Sequence, residues 1–360
     1  MTRIIFAGGG TAGHIEPALA VARQWKKIHP DTQILFLGTS SGLENRLVPE
    51  AGFSLELIIK VRISRKLSPS LLLTPFALIR SVIQSYSILK DANLLVGFGG
   101  YVSGPAYIAA RIRRIPIVIH EANAHPGIAN RLGALFTKNT AVAYPVARGR
   151  LSGALLAGLP LRPDVENAFH GAESDWARAR REAKARSGFS AEKPLIFIFG
   201  GSQGSVAINS VIEGARSELI SQGLQVLHSV GERNSLPESD GSYKAVSYIT
   251  DMSSAYLAAD LIISRSGAVS CAEINTLGRY ALFIPLPVGN GEQELNALTL
   301  VSESRAELVS QSSFSSTWLM ANISRLLTAS SHTAIEGSRK DIDASSKMVS
   351  LMEFAIAGGK

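Results

Sequence analysis

The chain has 360 residues, of which 46% are hydrophobic and 18% charged, so it is globular and long enough for two domains. Its single cysteine, Cys271, excludes an intramolecular disulfide, and no apolar run approaches the roughly 18 residues of a membrane-spanning helix. The net charge of +7 is uneven: residues 1–160 carry +11, whereas residues 161–360 carry −4.

These features suggest a compartment and a type of partner. One cysteine fits a reducing cytoplasm, and we expect no export signal because the N-terminus lacks a basic region followed by an apolar stretch. A basic N-terminal half indicates an anionic partner there: nucleic acid, a phosphorylated substrate or an acidic membrane surface. Ordinary solubilising surface charge explains the asymmetry equally well.

Short apolar runs alternate with helix-like segments through the first half of the chain. Runs that are apolar throughout are typical of parallel strands covered on both faces. We predict strands at residues 3–7, 33–37, 55–59, 94–96, 117–119 and 141–143, and helices at residues 43–50 and about 70–90.

A second alternating series follows a segment at residues 157–163 that contains a glycine and two prolines, which we interpret as a linker. We predict further strands at residues 194–199, 224–227, 260–263 and 281–285, and helices at residues 175–186 and 335–360. Alternation of strands and helices predicts an α/β fold of two Rossmann-like, doubly wound parallel-sheet domains facing a central cleft.

Two glycine-rich turns occur in the basic half. The first, Gly8-Gly9-Gly10-Thr11-Ala12-Gly13-His14, joins a strand to a helix start, where unpaired amides favour a phosphate group. It fits G-x-G-x-x-G, but the second strand ends Leu37-Gly38-Thr39 without the acidic residue of a dehydrogenase. The second turn runs from Gly97 to Pro105 with four glycines, and together the two turns suit a diphosphate better than simple tight packing does.

Two similar turns occur in the acidic half. The third is Gly200-Gly201-Ser202-Gln203-Gly204-Ser205, and the fourth is Ser264-Arg265-Ser266-Gly267-Ala268-Val269-Ser270. A helix start with hydroxyls and a nearby arginine suits a nucleotide diphosphate. Glu273, one turn further on, is placed to accept hydrogen bonds from ribose, or is simply a favourable charge near a helix start. The sequence contains no G-x-x-x-x-G-K-[ST] motif, so a P-loop nucleotidase is disfavoured.

The ordered set of motifs resembles glycosyltransferase family 28, a family with the GT-B fold. The resemblance covers nearly the whole chain and rests on segments 9–14, 99–105, 120–123, 158–162 and 200–204, and on Arg265 to Ala268 with Glu273. It implies domains at residues 1–160 (acceptor and membrane) and 161–335 (nucleotide sugar), and a last helix, residues 336–360, that crosses back to the first domain.

The resemblance also implies an activity: an inverting transfer of N-acetylglucosamine from UDP-N-acetylglucosamine to the C4 hydroxyl of N-acetylmuramyl-pentapeptide on lipid I, giving lipid II for peptidoglycan. The implied donor contacts are Thr11, Ala12, Gly13, Asn123, Arg162, Ser202, Gln203, Ile249, Arg265, Ala268, Val269, Ser270, Glu273, Gln293 and Asn296. The implied contacts to the acceptor diphosphate are Gly10, Gly13, Gly100, Tyr101 and Ser103. The sequence departs from the usual family residues at Ala12, Ala122, Leu159, Leu161 and Glu292.

Inverting displacement needs a base for the acceptor hydroxyl, and we expect His14 to supply it. An ordinary histidine pKa of about 6.5 leaves the ring largely neutral in the cytoplasm. Capping the helix or binding phosphate is the alternative role for His14, and Glu121 and His120 are the reserve candidates. Helix-start amides can stabilise the leaving UDP, so we expect no tightly bound metal and at most a weak Mg²⁺ dependence.

Residues 60–80 combine basic residues with bulky apolar ones. Such a segment suits either a membrane surface or a core helix with a solvated rim. Because the implied acceptor is a polyprenyl lipid, we expect peripheral binding to the anionic cytoplasmic face of the cell membrane. The residues assigned to this contact are Leu71, Leu72, Phe76 and Arg80.

Three other functions fit the same pattern: another GT-B transferase with a different acceptor, a UDP-sugar epimerase of similar fold, and a non-catalytic nucleotide-sugar sensor. The sequence pI of about 9.5 alone suggests nucleic-acid binding. We expect no nucleic-acid partner, because no recognisable module or aromatic-basic stripe is present.

Overall fold

The computed structural model describes residues 1–61, 74–287, 291–333 and 335–359. These residues form two compact units. Unit 1 comprises Met1–Arg162 and Asp341–Lys360, and unit 2 comprises Pro163–Lys340. The division after Arg162 lies close to the domain boundary that the sequence predicts after residue 160.

In its described residues, unit 1 contains one parallel sheet of seven strands in the order β3-β2-β1-β4-β5-β6-β7. The strands are β1 (Arg3–Gly8), β2 (Gln33–Gly38), β3 (Ser54–Leu57), β4 (Leu94–Gly99), β5 (Ile117–Glu121), β6 (Thr140–Val142) and β7 (Leu155–Leu156). The central strands are buried because apolar side chains on both of their faces pack beneath helices.

The helices of unit 1 cover both faces of this sheet. They are α1 (Ala12–Ile28), α2 (Glu44–Glu50), α3 (Thr74–Ile88), α4 (Ser103–Arg113), α5 (Ile128–Gly133) and α13 (Ala344–Ile356). Helix α13 packs against α1, and its residues Met348 and Met352 lie in the same apolar core as β1. The side chain of Asp341 accepts a hydrogen bond from the Leu159 amide at 2.8 Å. The C-terminal segment is therefore an integral part of unit 1.

Within the described part of unit 2, six parallel strands follow the order β10-β9-β8-β11-β12-β13. The strands are β8 (Leu195–Phe199), β9 (Gln225–Ser229), β10 (Tyr243–Val246), β11 (Leu261–Ser264), β12 (Ala281–Phe283) and β13 (Ala306–Leu308). The helices are α6 (Pro163–Ala172), α7 (Trp176–Arg186), α8 (Val206–Ser221), α9 (Met252–Ala258), α10 (Ala268–Thr276), α11 (Glu292–Ser302) and α12 (Ser316–His332).

Both sheets begin their strand order as 3-2-1-4-5-6, the doubly wound pattern expected from the sequence. In such sheets the chain turns to opposite faces after the two central strands, and ligands bind beyond the carboxyl ends of the strands at that point. The central pair is β1 and β4 in unit 1, and β8 and β11 in unit 2. Each of these four strands leads into one of the four glycine-rich turns.

Candidate active site

The first and second glycine turns are neighbours because β1 and β4 are adjacent parallel strands, with Gly8 opposite Gly99. Gly100 has a φ of +82°, and a Cβ there would lie 2.3 Å from the carbonyl oxygen of Gly9. Any larger residue would separate the two turns or distort them. The absence of a side chain at Gly100 therefore brings the second turn against the first.

His14 lies in the first turn of α1, at the meeting point of these two loops. Its Nδ1 is 3.3 Å from Oγ1 of Thr11, and a Cβ on Gly99 would stand 3.3 Å from its Nε2. Burial lowers the pKa of His14 below the usual 6.5, although the carboxylates of Glu121 and Glu44 and the Gly9 backbone act in the opposite direction. The ring is therefore neutral at pH 7 and able to accept a proton.

Glu121 lies at the carboxyl end of β5 and is 2% exposed. Oε1 accepts hydrogen bonds from the backbone amide and the side-chain amide of Asn123, at 2.9 and 3.3 Å. Oε2 accepts from the Gly127 amide at 2.9 Å and from Nδ2 of Asn130 at 3.0 Å. Four donors fill the acceptor capacity of a carboxylate. The geometry thus favours Glu121 as an organiser of this loop over its predicted role as a base.

His120 is fully buried on β5, against the ring of Phe98. Its Nε2 is 2.8 Å from the carbonyl oxygen of Gly158, and burial lowers its pKa to about 4. Nδ1 has no hydrogen-bond partner among the residues that the structure describes. A side chain without exposed surface cannot meet the acceptor, so the structure disfavours His120 as the reserve base.

Asn130, on α5, joins this network although no sequence motif points to it. Its Oδ1 accepts from the Tyr107 hydroxyl at 2.7 Å, and its Nδ2 donates to the His120 carbonyl oxygen at 3.0 Å as well as to Glu121. A lone asparagine in a short helix of ordinary composition carries no functional signal of its own. Asn130 holds the Glu121 carboxylate in one position beneath the second turn.

Two of the contacts predicted for the acceptor diphosphate are already occupied within the protein. The Gly10 amide donates to Oε2 of Glu44 at 2.9 Å. The Ser103 hydroxyl, which is fully buried, lies within hydrogen-bond distance of the carbonyl oxygens of Ala7 and Gly99, at 2.8 and 2.7 Å. In this structure both groups support the turns, and the contacts of Gly10 and Ser103 with the acceptor diphosphate stay predictions.

Other residues at this edge of unit 1 remain accessible. Thr11 is exposed, and Ala12, Gly13, Gly100 and Asn123 are partly exposed. The first amides of a helix have no intrahelical acceptor, so the start of α1 can still donate to an anion. Tyr101 is 48% exposed, with Nζ of Lys60 4.8 Å from its ring centre.

The third and fourth turns are likewise adjacent in unit 2, because Phe199 of β8 lies opposite Ser264 of β11. Arg265 is 8% exposed, and its guanidinium donates to the Ser205 hydroxyl at 2.8 Å and to the Ile284 carbonyl oxygen at 2.9 Å. It also donates to Gln311 at 2.6 Å. These hydrogen bonds tie the two turns together, and the contact of Arg265 with the donor stays a prediction.

The N-terminus of α10 carries no side-chain cap. Gly267 precedes the helix, and the first turn of the helix contains no acidic residue. The amides of Ala268, Val269 and Ser270 therefore form the kind of helix N-terminus that binds a diphosphate. Ser202, Gln203 and Ile249, also predicted for the donor, are at least partly exposed in unit 2.

The remaining donor candidates differ in exposure. Glu273 is 1% exposed and Asn296 is fully buried, with Nδ2 of Asn296 3.4 Å from the Ser266 carbonyl oxygen. Gln293 accepts a hydrogen bond from the Leu286 amide at 3.0 Å. Arg162 belongs to unit 1. Their contacts to ribose and sugar stay predictions.

The residues predicted to meet a membrane divide into two groups. Leu71 and Leu72 lie outside the described residues, whereas Phe76 is 71% exposed and Arg80 is exposed, both on α3. Among the residues described, no helix has the length and apolar character needed to cross a bilayer. The same residues contain no group of three His, Cys, Asp or Glu side chains arranged to bind a metal.

Two Rossmann-like parallel sheets, each with paired glycine-rich turns at its central strands, are the architecture of the GT-B fold. Family models agree: residues 4–142 match the glycosyltransferase family 28 N-terminal domain, and residues 195–353 match the glycosyltransferase family 28 C-terminal domain. The chain belongs to glycosyltransferase family 28.

Similarity to individual members extends over nearly the whole chain. A UDP-N-acetylglucosamine–N-acetylmuramyl-(pentapeptide) pyrophosphoryl-undecaprenol N-acetylglucosamine transferase of Thermobifida fusca is 43% identical, covering 95% of this chain and 91% of its own. The enzyme of the same name from a Mycobacterium species (strain KMS) is 43% identical over 93% of this chain and 92% of its own. The crystal structure of Acinetobacter baumannii MurG superposes with a TM-score of 0.70 at 27% identity, covering 98% and 99% of the two chains. The family expected from the motifs is thereby confirmed.

Proposed function

We infer that the chain is an inverting, UDP-N-acetylglucosamine-dependent glycosyltransferase that forms lipid II from lipid I in peptidoglycan synthesis. The observation that carries this inference is 43% identity over 95% of the chain to a transferase whose name specifies this donor and acceptor. The fold and the paired turns at the central strands of both sheets supply the matching architecture.

The donor side of the reaction falls to unit 2. As the bond between C1 of the sugar and the diphosphate breaks, negative charge grows on UDP. The amides of Ala268, Val269 and Ser270 at the start of α10 are fixed before the reaction, so they stabilise this charge without reorganising. A Mg²⁺ ion carried on the diphosphate would add to this effect, so we expect at most a weak metal dependence.

The acceptor side falls to unit 1, with His14 as base. With Nδ1–H directed at Oγ1 of Thr11, Nε2 is left as the acceptor, and it faces the second turn at Gly99. The C4 oxygen of the muramyl sugar bonds to C1 of N-acetylglucosamine on the face opposite UDP. The hydroxyl proton passes to Nε2 of His14 and the bonding electrons leave with UDP. A base of this kind contributes on the order of 10²–10⁴-fold.

Helix α3 supports peripheral binding to an anionic membrane. Phe76, Ile79 and Ile83 are 71%, 57% and 62% exposed, and their spacing of three and four residues places them on one side of the helix. The inward side carries Ser81 and Ser85, both fully buried, together with Val82 and Ile88, which pack against the core. An outward apolar face is unusual for a surface helix and marks an interaction site.

Basic residues accompany this apolar face. Arg80 is exposed on α3, and Arg113 at the end of the adjoining helix α4 lies over the ring of Tyr86 in α3, 3.8 Å from its centre. Cations beside an apolar face suit anionic headgroups and acyl chains together. We propose that this surface rests on the cytoplasmic face of the cell membrane, where the polyprenyl acceptor is anchored.

Turnover of labelled UDP-N-acetylglucosamine with a short-chain lipid I analogue tests the function. We expect label in the lipid product for the wild type, at least 100-fold less for His14→Ala, and unchanged turnover for the exposed-histidine control His332→Ala. Normal turnover by His14→Ala would remove His14 as base while leaving the transferase assignment intact.

The same assay separates the competing functions. Formation of an epimeric sugar product without a lipid acceptor would indicate an epimerase, and binding of UDP-N-acetylglucosamine without any turnover would indicate a sensor. Turnover with a different glycolipid acceptor, but not with the lipid I analogue, would indicate another GT-B transferase.

A further inference from the structure

A buried carboxylate lies directly beneath the first glycine turn. Glu44 is the first residue of α2, and its side chain is fully buried. Oε2 accepts a hydrogen bond from the Gly10 amide at 2.9 Å. Oε1 accepts from the Thr39 amide at 2.8 Å and from the Thr39 hydroxyl at 3.1 Å. One side chain thus joins the turn that follows β1 to the end of β2.

The surrounding backbone is shaped to admit this carboxylate. A Cβ on Gly9 would lie 3.0 Å from Oε1 of Glu44, one on Gly42 would lie 1.8 Å from Oε2, and one on Gly38 would lie 2.5 Å from Cγ. Side chains at any of the three glycines would displace Glu44 or be displaced by it. The glycines of the first turn and of the loop before α2 therefore serve as a close-fitting cavity around Glu44.

A buried carboxylate in this place destabilises the fold unless hydrogen bonds compensate for its lost hydration. Burying an ionised group away from water is unfavourable, and this one lies beside a turn expected to bind an anion. Three charge-assisted hydrogen bonds offset that cost because each is stronger than a bond between neutral groups. They also fix the direction of the Gly10 amide, which points to Glu44 and not toward substrate.

The chain between Gly10 and the base is short, so the position of one controls the other. Gly10 is followed by Thr11, whose hydroxyl lies 3.3 Å from Nδ1 of His14. Two carboxylates act on the His14 ring: Glu121 from β5, and Glu44 from α2. Both favour the protonated imidazolium, whereas burial opposes it.

We propose that Glu44 is a positioning residue for the transfer reaction, holding the first glycine turn so that His14 and the free amides of α1 face the acceptor. The inference rests on the proposed function and extends it to a residue that does not touch substrate. Ala12 and Gly13 then supply the acceptor-binding amides at this turn, because the Gly10 amide is committed to Glu44.

Glu44→Gln tests the proposal with little change in shape. Glutamine has one oxygen and one amide nitrogen, so it cannot accept from both Gly10 and Thr39, and one backbone donor would face an NH₂ group. We expect kcat to fall about 10–100-fold, because small misplacements of catalytic groups have effects of that size. KM for UDP-N-acetylglucosamine should change less than kcat does, since most of the implied donor contacts lie in unit 2, which is not altered. The matched control is Glu50→Gln, an exposed residue of the same helix.

The pH profile of kcat provides a readout that a merely structural role would not move. The Glu44 charge raises the His14 pKa, so its removal should shift the acid limb of the profile to lower pH. Glu44→Asp keeps the charge on a shorter side chain, so it should leave the acid limb nearer to that of the wild type than Glu44→Gln does.

The outcomes separate the two inferences. A wild-type enzyme that does not glycosylate the lipid I analogue would overturn the proposed function. An active wild type together with Glu44→Gln of unchanged kcat and unchanged acid limb would overturn the role of Glu44 alone. Should Glu44→Gln lose the fold, as judged by thermal melting and UDP binding, Thr39→Val decides. It removes one hydrogen bond to Oε1, and we expect about a threefold loss of kcat; wild-type kcat in folded Thr39→Val would contradict the proposal.

Discussion

Gly99 lies so close to His14 that a methyl group on Gly99 would stand 3.3 Å from both Nε2 and Cδ2 of the ring. The same residue has a φ of +91°, a conformation that residues with a side chain rarely adopt. A single backbone position thus governs both the path of the second turn and the space available to the proposed base.

Gly99→Ala should therefore lower turnover strongly while it lowers the free energy of unfolding only moderately. The left-handed backbone conformation costs about 1–2 kcal/mol for an alanine. The added methyl group also presses on the His14 ring, and on Nδ2 of Asn130 at 3.4 Å. We expect kcat to fall on the order of 10²-fold, because the base is displaced from its working position.

Steady-state kinetics and thermal melting measure these two effects. Gly171→Ala is the control, because a Cβ at that position in helix α6 meets nothing within 4 Å. It should retain full turnover and gain about 0.5–1 kcal/mol from the better helix propensity of alanine. Equal kinetics for the two variants would show that the Gly99 contact does not orient His14.

Buried histidines make the stability of both units depend on pH. Burial lowers the pKa of His120 in unit 1 and of His228 in unit 2 to about 4 each. An unfolded histidine titrates near 6.5, so between about pH 6.5 and 4 the unfolded chain binds protons that the folded chain does not. Stability is therefore fully present above about pH 6.5 and declines as the pH falls toward 4, by about 3 kcal/mol for each histidine.

Urea unfolding at pH 7.5, 6.5 and 5.5 checks this expectation. The free energy of unfolding should be nearly flat between the two higher values and lower at pH 5.5. His228→Gln should lose only part of that decline, because His120 and His14 also have lowered pKa values, and the exposed-residue control His332→Gln should keep all of it. The same free energy of unfolding at pH 5.5 and 7.5 would show that these two rings are not held neutral by burial.

The central parts of both sheets are predictable from the sequence because their strands are buried on both faces and so are apolar throughout. The predicted strand at residues 117–119 and the observed β5 (Ile117–Glu121) differ only at one end. The edge strands β10 and β13 escape prediction. In β10, buried Tyr243 and Ala245 alternate with Lys244, and β13 has only three residues. Such short, half-exposed segments carry little signal.

The residues of the candidate site are likewise only partly predictable from the sequence. Turn positions such as His14 stand out in the sequence because glycine-rich turns have a strong local pattern. Glu44 and Asn130 do not, since each acts through hydrogen bonds to residues distant in the chain. Ser103 and Arg265 are predicted as ligand contacts, but their polar groups bond to the protein itself. Residue type indicates what a group can bind; the fold determines what it does bind.

Arg279 is a buried cation with few partners, and its replacement should stabilise unit 2. The side chain is 2% exposed, its Nη1 donates over 3.5 Å to the Leu257 carbonyl oxygen, and its Nε has no partner among the described residues. Burial holds its pKa well below the usual value, and the neighbouring cations Arg180 and Arg305 lower it further, against Asp260.

Arg279→Met keeps a similar volume without the buried charge. We expect the free energy of unfolding to rise by about 1–4 kcal/mol, because a well-packed apolar side chain avoids the cost of desolvating a cation. Arg181→Met, an exposed position on α7, is the control and should change stability by less than about 0.5 kcal/mol. Thermal melting compares them, and a lower melting temperature for Arg279→Met would mean that the guanidinium has a stabilising partner.

The outward apolar face of α3 makes a prediction about membrane binding that is separate from catalysis. Phe76→Ser with Ile83→Ser removes two exposed apolar side chains, so the fold should keep its stability while binding to anionic vesicles falls at least tenfold. Burial of two such side chains in lipid is worth roughly 3 kcal/mol or more, which is enough for that change. Cosedimentation with phosphatidylglycerol vesicles measures it, and Leu236→Ser, an exposed leucine of unit 2, is the control.

Two further measurements distinguish membrane binding by this face from support of the active site. Raising the salt concentration should weaken vesicle binding, because Arg80 and Arg113 contribute by electrostatic attraction that salt screens. Turnover of a short-chain, water-soluble acceptor should be the same for the double variant and the wild type, since no residue of the candidate site is changed. Unaltered binding of the double variant to anionic vesicles would exclude α3 as the membrane contact. If turnover of the soluble acceptor fell as much as vesicle binding does, α3 would instead support the active site.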